Sequence, residues 1–167
     1  LRVRISGRLD GALCTAQTDI RFGDAVTPGP LVVDYPTILD DVPAPRLRVY
    51  PRESVMSEKL ESIVSLGMGN SRMKDYYDLR ALIRDERVDE RYLVDAIRAT
   101  FDRRRTRIPG TIPVGLSDEF ANSPAKIAQW RAFLDRNRLE GPALADVVTE
   151  IRTALDPSMR RARASAG

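Results

Sequence analysis

A chain of 167 residues, 43% hydrophobic and 31% charged, holds one core or one small domain packed on a helical appendage, and it is too apolar to be predominantly disordered. Its formal net charge is +3, and it has no His and one Cys, Cys14, which excludes an internal disulfide, a His-based metal site and a Ser/His or Cys/His nucleophile. No apolar run approaches the roughly 20 residues that cross a bilayer, so no membrane is expected; the lone cysteine makes a reducing cytoplasm the natural expectation, and any metal would be a hard ion such as Mg²⁺ held by carboxylates and phosphate oxygens.

The chain opens on alternating basic and apolar residues, with neither an initiator Met nor a signal-peptide block, and reads as the middle of a longer polypeptide. Residues 1–6 and 15–22 read as strands, and the turn formers of 7–11 make them a hairpin. Five prolines (Pro28, Pro30, Pro36, Pro43, Pro45) punctuate residues 23–45 and leave 31–35 as a short edge strand, with one more strand at 47–50. Together these make a small sheet, or the remaining half of one.

After Pro51 the apolar period becomes helical, with Met56, Leu60, Ile63 and Val64 on one face until Gly67, Gly69 and Asn70 stop it. A second helix from Ser71 carries Tyr76, Leu79, Leu82 and Ile83. A third, capped by Asp89, carries Leu93, Ile97 and Phe101. Past the loop at 109–115, Ser123 and Pro124 start a helix bearing Ile127, Trp130 and Leu134. The next presents Leu144, Val147, Val148, Ile151 and Leu155 before Pro157 ends it, leaving residues 158–167 as a disordered basic tail. A strand-rich front followed by about five helices argues an α+β fold.

Polar residues stand at three places where structure alone does not call for them. Asp19 falls in the middle of an expected strand, which fits either a site on a sheet face or the polar side of an exposed hairpin. Lys59 sits beside the apolar stripe of Met56, Leu60 and Ile63, which fits a cation reaching into a cleft to meet phosphate, or a lysine snorkelling along an apolar surface. Asp75 and Asp78 share a helix face three residues apart, and Asp75 also suits the positive end of the helix dipole. A block of Arg103, Arg104, Arg105 and Arg107, with Arg160, Arg161 and Arg163 in the tail, suits a polyanionic partner or an ordinary solvated surface.

In order along the chain, Asp19-Ile20-Arg21-Phe22-Gly23-Asp24-Ala25-Val26-Thr27-Pro28, Tyr35-Pro36-Thr37, Tyr50-Pro51-Arg52-Glu53 with Glu58-Lys59-Leu60, and Asn70-Ser71-Arg72-Met73-Lys74-Asp75-Tyr76-Tyr77-Asp78-Leu79 resemble the AbiEii/AbiGii toxin family, closely over residues 1–84 and loosely beyond. The resemblance implies a polymerase-β-type nucleotidyltransferase. Such a protein acts as the toxin of a bacterial toxin-antitoxin or abortive phage infection system, and passes a nucleotide from an NTP, with Mg²⁺, to an acceptor such as tRNA. A cognate antitoxin encoded nearby is the implied protein partner.

Carried over by motif, Asp19 matches the acidic residue of the second motif, a third carboxylate on the metal. Lys59 matches the lysine that meets the nucleotide phosphates, and Asp75 the supporting aspartate of the fourth motif, so these three are the expected catalytic residues and are expected to converge on one cleft. Arg72 and Lys74 are expected to help bind the nucleotide, Glu58 and Asp78 to support the site, and Arg103, Arg104, Arg105 and Arg107 to contact RNA. The implied division is residues 1–84 as the remainder of the nucleotidyltransferase domain with its motif helices, residues 85–157 as a helical carboxy-terminal region, and 158–167 as the tail. The family's Gly-Ser motif and acidic pair would precede Leu1, so this chain alone is expected to be inactive unless a separate polypeptide supplies them. The alternative reading is a catalytically degenerate module that binds nucleic acid or protein.

Overall fold

In the structure, a computed structural model, residues 1–20, 22, 23, 25–37, 41–85 and 87–164 are described. Arg21 and Asp24 of the segment that begins at Asp19, and the last three residues of the basic tail, lie outside them. The fold is α+β, with two small antiparallel ladders followed, among the described residues, by six helices.

Strand β1 (Arg2–Leu9) pairs with β2 (Ala12–Asp19) from Arg2↔Asp19 to Leu9↔Ala12. The turn is only Asp10-Gly11, both at positive φ (47° and 83°), as a two-residue hairpin requires. The turn expected over residues 7–11 is thus shorter, and Gly7 pairs with Cys14 inside the ladder. Every residue of β2 is exposed, so the hairpin stands clear of the helical core. Strand β3 (Leu31–Asp34) pairs with β4 (Arg46–Val49) as a separate ladder, so the expected single sheet is two.

The helical part is built on one-sided burial. Helix α1 (Arg52–Leu66) buries Met56, Leu60 and Ile63, α2 (Met73–Ile83) buries Tyr76 and Leu79, and α3 (Glu90–Arg104) buries Leu93, Ile97 and Phe101, all at helical spacing. The cap expected for α3 is present: the Asp89 side chain accepts from the Arg91 N–H, and Glu53 of α1 accepts the Asp89 N–H at 3.0 Å. Ser57 and Thr100 share a buried hydrogen bond of 2.8 Å between α1 and α3. The short α4 (Asp118–Asn122) places Phe120 against Tyr76, and α5 (Pro124–Asn137) inserts Trp130, whose indole N–H donates to the Pro142 carbonyl.

Helix α6 (Leu144–Ala164) supplies Leu144, Val147, Val148, Ile151 and Leu155 to the same core, which draws on residues from both sides of the expected division at 84/85. It does not end at Pro157, and residues 158–164 are helix where a disordered tail is expected. A proline inside a helix costs about 3 kcal/mol, and burying Met159 and Ala162 in the core beyond it works against that cost.

Gly115, between α3 and α4, shows how closely the core is joined. A Cβ there would lie 2.6 Å from the Ile63 carbonyl oxygen and 3.2 Å from the Tyr76 hydroxyl, which itself donates to the Gly115 carbonyl at 2.9 Å. The end of α1 and the face of α2 are thereby fixed at one point, which sets the two motif helices side by side.

Candidate active site

The link from α1 to α2 is pinned by Asn70, which is wholly buried. Its Oδ1 accepts the Arg72 N–H at 2.8 Å, and its carbonyl accepts the Lys126 ammonium of α5 at 2.8 Å. Sequence reading uses Asn70 as a helix stop and as the first residue of the matched segment 70–79. Its role as a pin, and that of the buried Lys126, depends on a contact across 56 residues that no local pattern displays. The pinned link directs Arg72, Asp75 and Asp78 of the first turns of α2 toward α1.

Lys59 projects from α1 to meet them. Its ammonium donates to Asp75 Oδ1 at 2.9 Å and to Asp78 Oδ2 at 2.7 Å, and Lys74 donates to Asp78 as well. The side chains of Lys59, Asp75 and Asp78 are 17%, 16% and 23% exposed, shielded but open on one side. That side is a cleft of about 380 Å³ lined by Val55, Glu58, Lys59, Ser62, Arg72, Asp75 and Arg104.

Arg104, at the end of α3, forms the far wall. Its guanidinium donates to Glu61 Oε2 at 2.6 Å and lies 3.7 Å from Glu58, while Thr106 donates to the other Glu61 oxygen at 2.6 Å. Glu61 is 4% exposed, and this buried carboxylate is missed by sequence reading, although its place one helical turn past Ser57 on the face toward α3 is the available signal.

The arginine block therefore divides. Arg104 belongs to the cleft wall, Arg103 donates to the Gly23 carbonyl, Arg105 is the left-handed cap of α3 (φ 54°), and Arg107 is exposed. Asp19 is not among the residues lining the cleft. It sits on the hairpin, 50% exposed, with its two oxygens on the Arg2 guanidinium at 2.6 and 3.2 Å. The structure brings together Lys59, Asp75, Asp78, Lys74, Glu58 and Arg72, and leaves Asp19 apart from them.

Both charges at the junction are favoured. Burial opposes the Lys59 ammonium, but hydrogen bonds to Asp78 and Asp75 and their charges outweigh it and raise its pKa. Burial likewise opposes the Asp78 carboxylate, and hydrogen bonds from Lys59 and Lys74 outweigh it and lower its pKa. A lowered carboxyl contributes stability that is present above its unfolded value, about pH 4, and lost as pH falls through the folded value. A raised lysine contributes stability that is present below about pH 10 and lost as pH rises through its folded value. Thermal unfolding across pH should show a plateau through neutrality, and Asp78→Asn should flatten the acid limb below about pH 4. An acid limb identical to that of the unaltered protein would detach Asp78 from the junction.

A Mg²⁺ ion needs carboxylate oxygens free to face it. Here Asp75 and Asp78 carry ammonium groups and Asp19 carries Arg2, and among the described residues no three acidic, His or Cys side chains cluster as a metal site. These residues suit the binding of anionic phosphate by Lys59, Arg72 and Arg104, and do not suit a metal. No helix is long and apolar enough to cross a membrane among the described residues.

The family described as "Nucleotidyl transferase AbiEii toxin, Type IV TA system" matches residues 1–157. Neither a curated protein nor a solved structure matches the chain. With nearly the whole chain matched and the motif residues of α1 and α2 meeting at Lys59, the chain belongs to the AbiEii family of nucleotidyl transferase toxins of type IV toxin-antitoxin systems.

Proposed function

We propose that the cleft between α1 and α2 receives the phosphates of an NTP, and that the protein passes the nucleotidyl group to an RNA hydroxyl, with tRNA as the acceptor class. The observation that carries this reading is the Lys59 ammonium held between Asp75 and Asp78 at the mouth of a cleft that also presents Arg72 and Arg104. In such a transfer the acceptor oxygen attacks the α-phosphorus as the bond to the bridging oxygen of pyrophosphate breaks. Pyrophosphate leaves, and the hydroxyl proton passes to solvent.

Charge on the phosphates is what the protein must meet, so a positioned ammonium contributes more than a mobile one. Lys59 and Arg72 are the phosphate-binding groups, with Lys74 beside them. Asp75 and Asp78 are positioning residues that hold the Lys59 ammonium at the cleft, and Glu58 positions Arg104. Asp19, engaged by Arg2, has no part in this assignment. In a bacterial cytoplasm the toxin would act against tRNA until its antitoxin intervenes, as a defence against phage.

The test incubates the complete gene product with each α-labelled NTP, Mg²⁺ and total tRNA. Label entering RNA with at least one NTP is expected, and this chain alone should stay near background because its own carboxylates are not placed to hold the metal. NTP binding without transfer by the complete product would favour the non-catalytic binding module. No label and no binding with any of the four NTPs would end the reading.

A further inference from the structure

We propose that the groove between the first turn of α2 and the carboxy-terminal half of α5 is a second site, which binds the single-stranded end of the RNA acceptor. This rests on reading the Lys59 cleft as the NTP side, and adds where the other substrate lies. The groove has a volume of about 480 Å³, and its lining includes Arg72, Lys74, Gln129, Phe133, Arg136 and Asn137. Small-molecule sites span roughly 300–1,000 Å³, so this is room for a nucleotide unit and too little for a folded partner.

Its chemistry is that of a nucleotide unit. Arg136, which lines the groove and not the cleft, makes no ion pair among the described residues, so its charge is available to a phosphodiester. The half-buried Phe133 ring is braced by Tyr77 and Trp130, with centroids 5.8 and 5.7 Å away, so a base can stack on it at little ordering cost. The Asn137 amide nitrogen donates to the Phe133 carbonyl, which leaves its Oδ1 as an acceptor. Gln129 Oε1 takes the Lys126 ammonium at 3.3 Å, which leaves its amide N–H groups as donors. One acceptor and a pair of donors beside a ring can meet the edge of a base.

Position supplies the remaining argument. Arg72 and Asp75 line both this groove and the Lys59 cleft, so the two voids meet at the first turn of α2. A strand end in the groove adjoins phosphates in the cleft, the arrangement that transfer from one to the other requires.

The test uses the complete protein, a fluorescein-labelled single-stranded RNA hexamer followed by anisotropy, and calorimetric NTP titration. Ala132→Trp fills the groove and Arg136→Glu reverses a charge in it, and both positions are exposed, so the fold is retained. Each variant should weaken RNA binding at least tenfold with NTP affinity unchanged, and Arg136→Glu should lower the log–log salt slope by about 0.7 for a lost single-strand phosphate contact. Unchanged RNA affinity in both variants would overturn the proposal. So would loss of NTP affinity with RNA retained, which would make the groove the nucleotide's own site. Equal weakening of a poly-glutamate peptide would also overturn it, in favour of an acidic protein partner. Lys59→Ala separates the two readings: intact NTP binding there defeats the proposed function and leaves the RNA result to decide the groove.

Discussion

Lys59→Ala in the complete protein should lower nucleotidyl transfer by about two to three orders of magnitude, the usual cost of removing one positioned electrostatic group from such a site. The same change has a structural effect that must be separated from it. Without the ammonium, Asp75 loses its partner in a shielded junction while Asp78 keeps Lys74, and hydrogen bonds to charged groups of this kind are worth on the order of 2 kcal/mol. Lys59→Ala combined with Asp75→Asn removes the carboxylate left without an ammonium, since Asp78 keeps Lys74, and should recover most of the lost stability without recovering transfer. Full transfer by Lys59→Ala, measured as label in RNA, would remove the central residue of the site.

Arg104→Ala is expected to have the largest effect on stability. It leaves the buried Glu61 carboxylate with only the Thr106 hydroxyl, and breaking a buried pair by removing one partner costs about 3–5 kcal/mol. Because Arg104 is partly open to solvent, the lower end applies, about 3 kcal/mol, and a chain of this size should lose roughly 6–12 °C in Tm. Glu61→Gln on the same background should restore much of this, since an amide tolerates the lost partner better than a carboxylate. A shift under about 2 °C in calorimetry would mean that Arg104 is mere surface, as its place in an arginine block suggests.

The parts of this molecule that were legible in sequence are those governed by neighbours along the chain. The stripes of α1, α2 and α3 follow from one-sided burial at helical spacing, and the Asp89 cap from a carboxylate just before such a stripe. Lys59, Asp75 and Asp78 were legible through the wording of their motifs, and geometry brings them into contact. The rest depends on distant contacts. The five residues of α4 are too few to display a period, and Pro157 marks a helix end by local rules that core packing overrides. Arg104 reads as one of a run of cations because its partner Glu61 lies 43 residues away. Asp19 reads equally well as a site residue or a hairpin residue, and the ladder pairs it with Arg2.

The long reach of α6 also fixes when the site comes into being during synthesis. The core on which α1, α2 and α3 rest takes side chains from Leu144 through Ala162, so the walls of the cleft have no complete support until those residues have been translated. At synthesis rates of about 5–20 residues per second, the roughly one hundred residues between the end of α1 and Ala162 take about 5–20 s. The core under the cleft is thus completed only by the last helix to be synthesised, long after the residues that line the cleft.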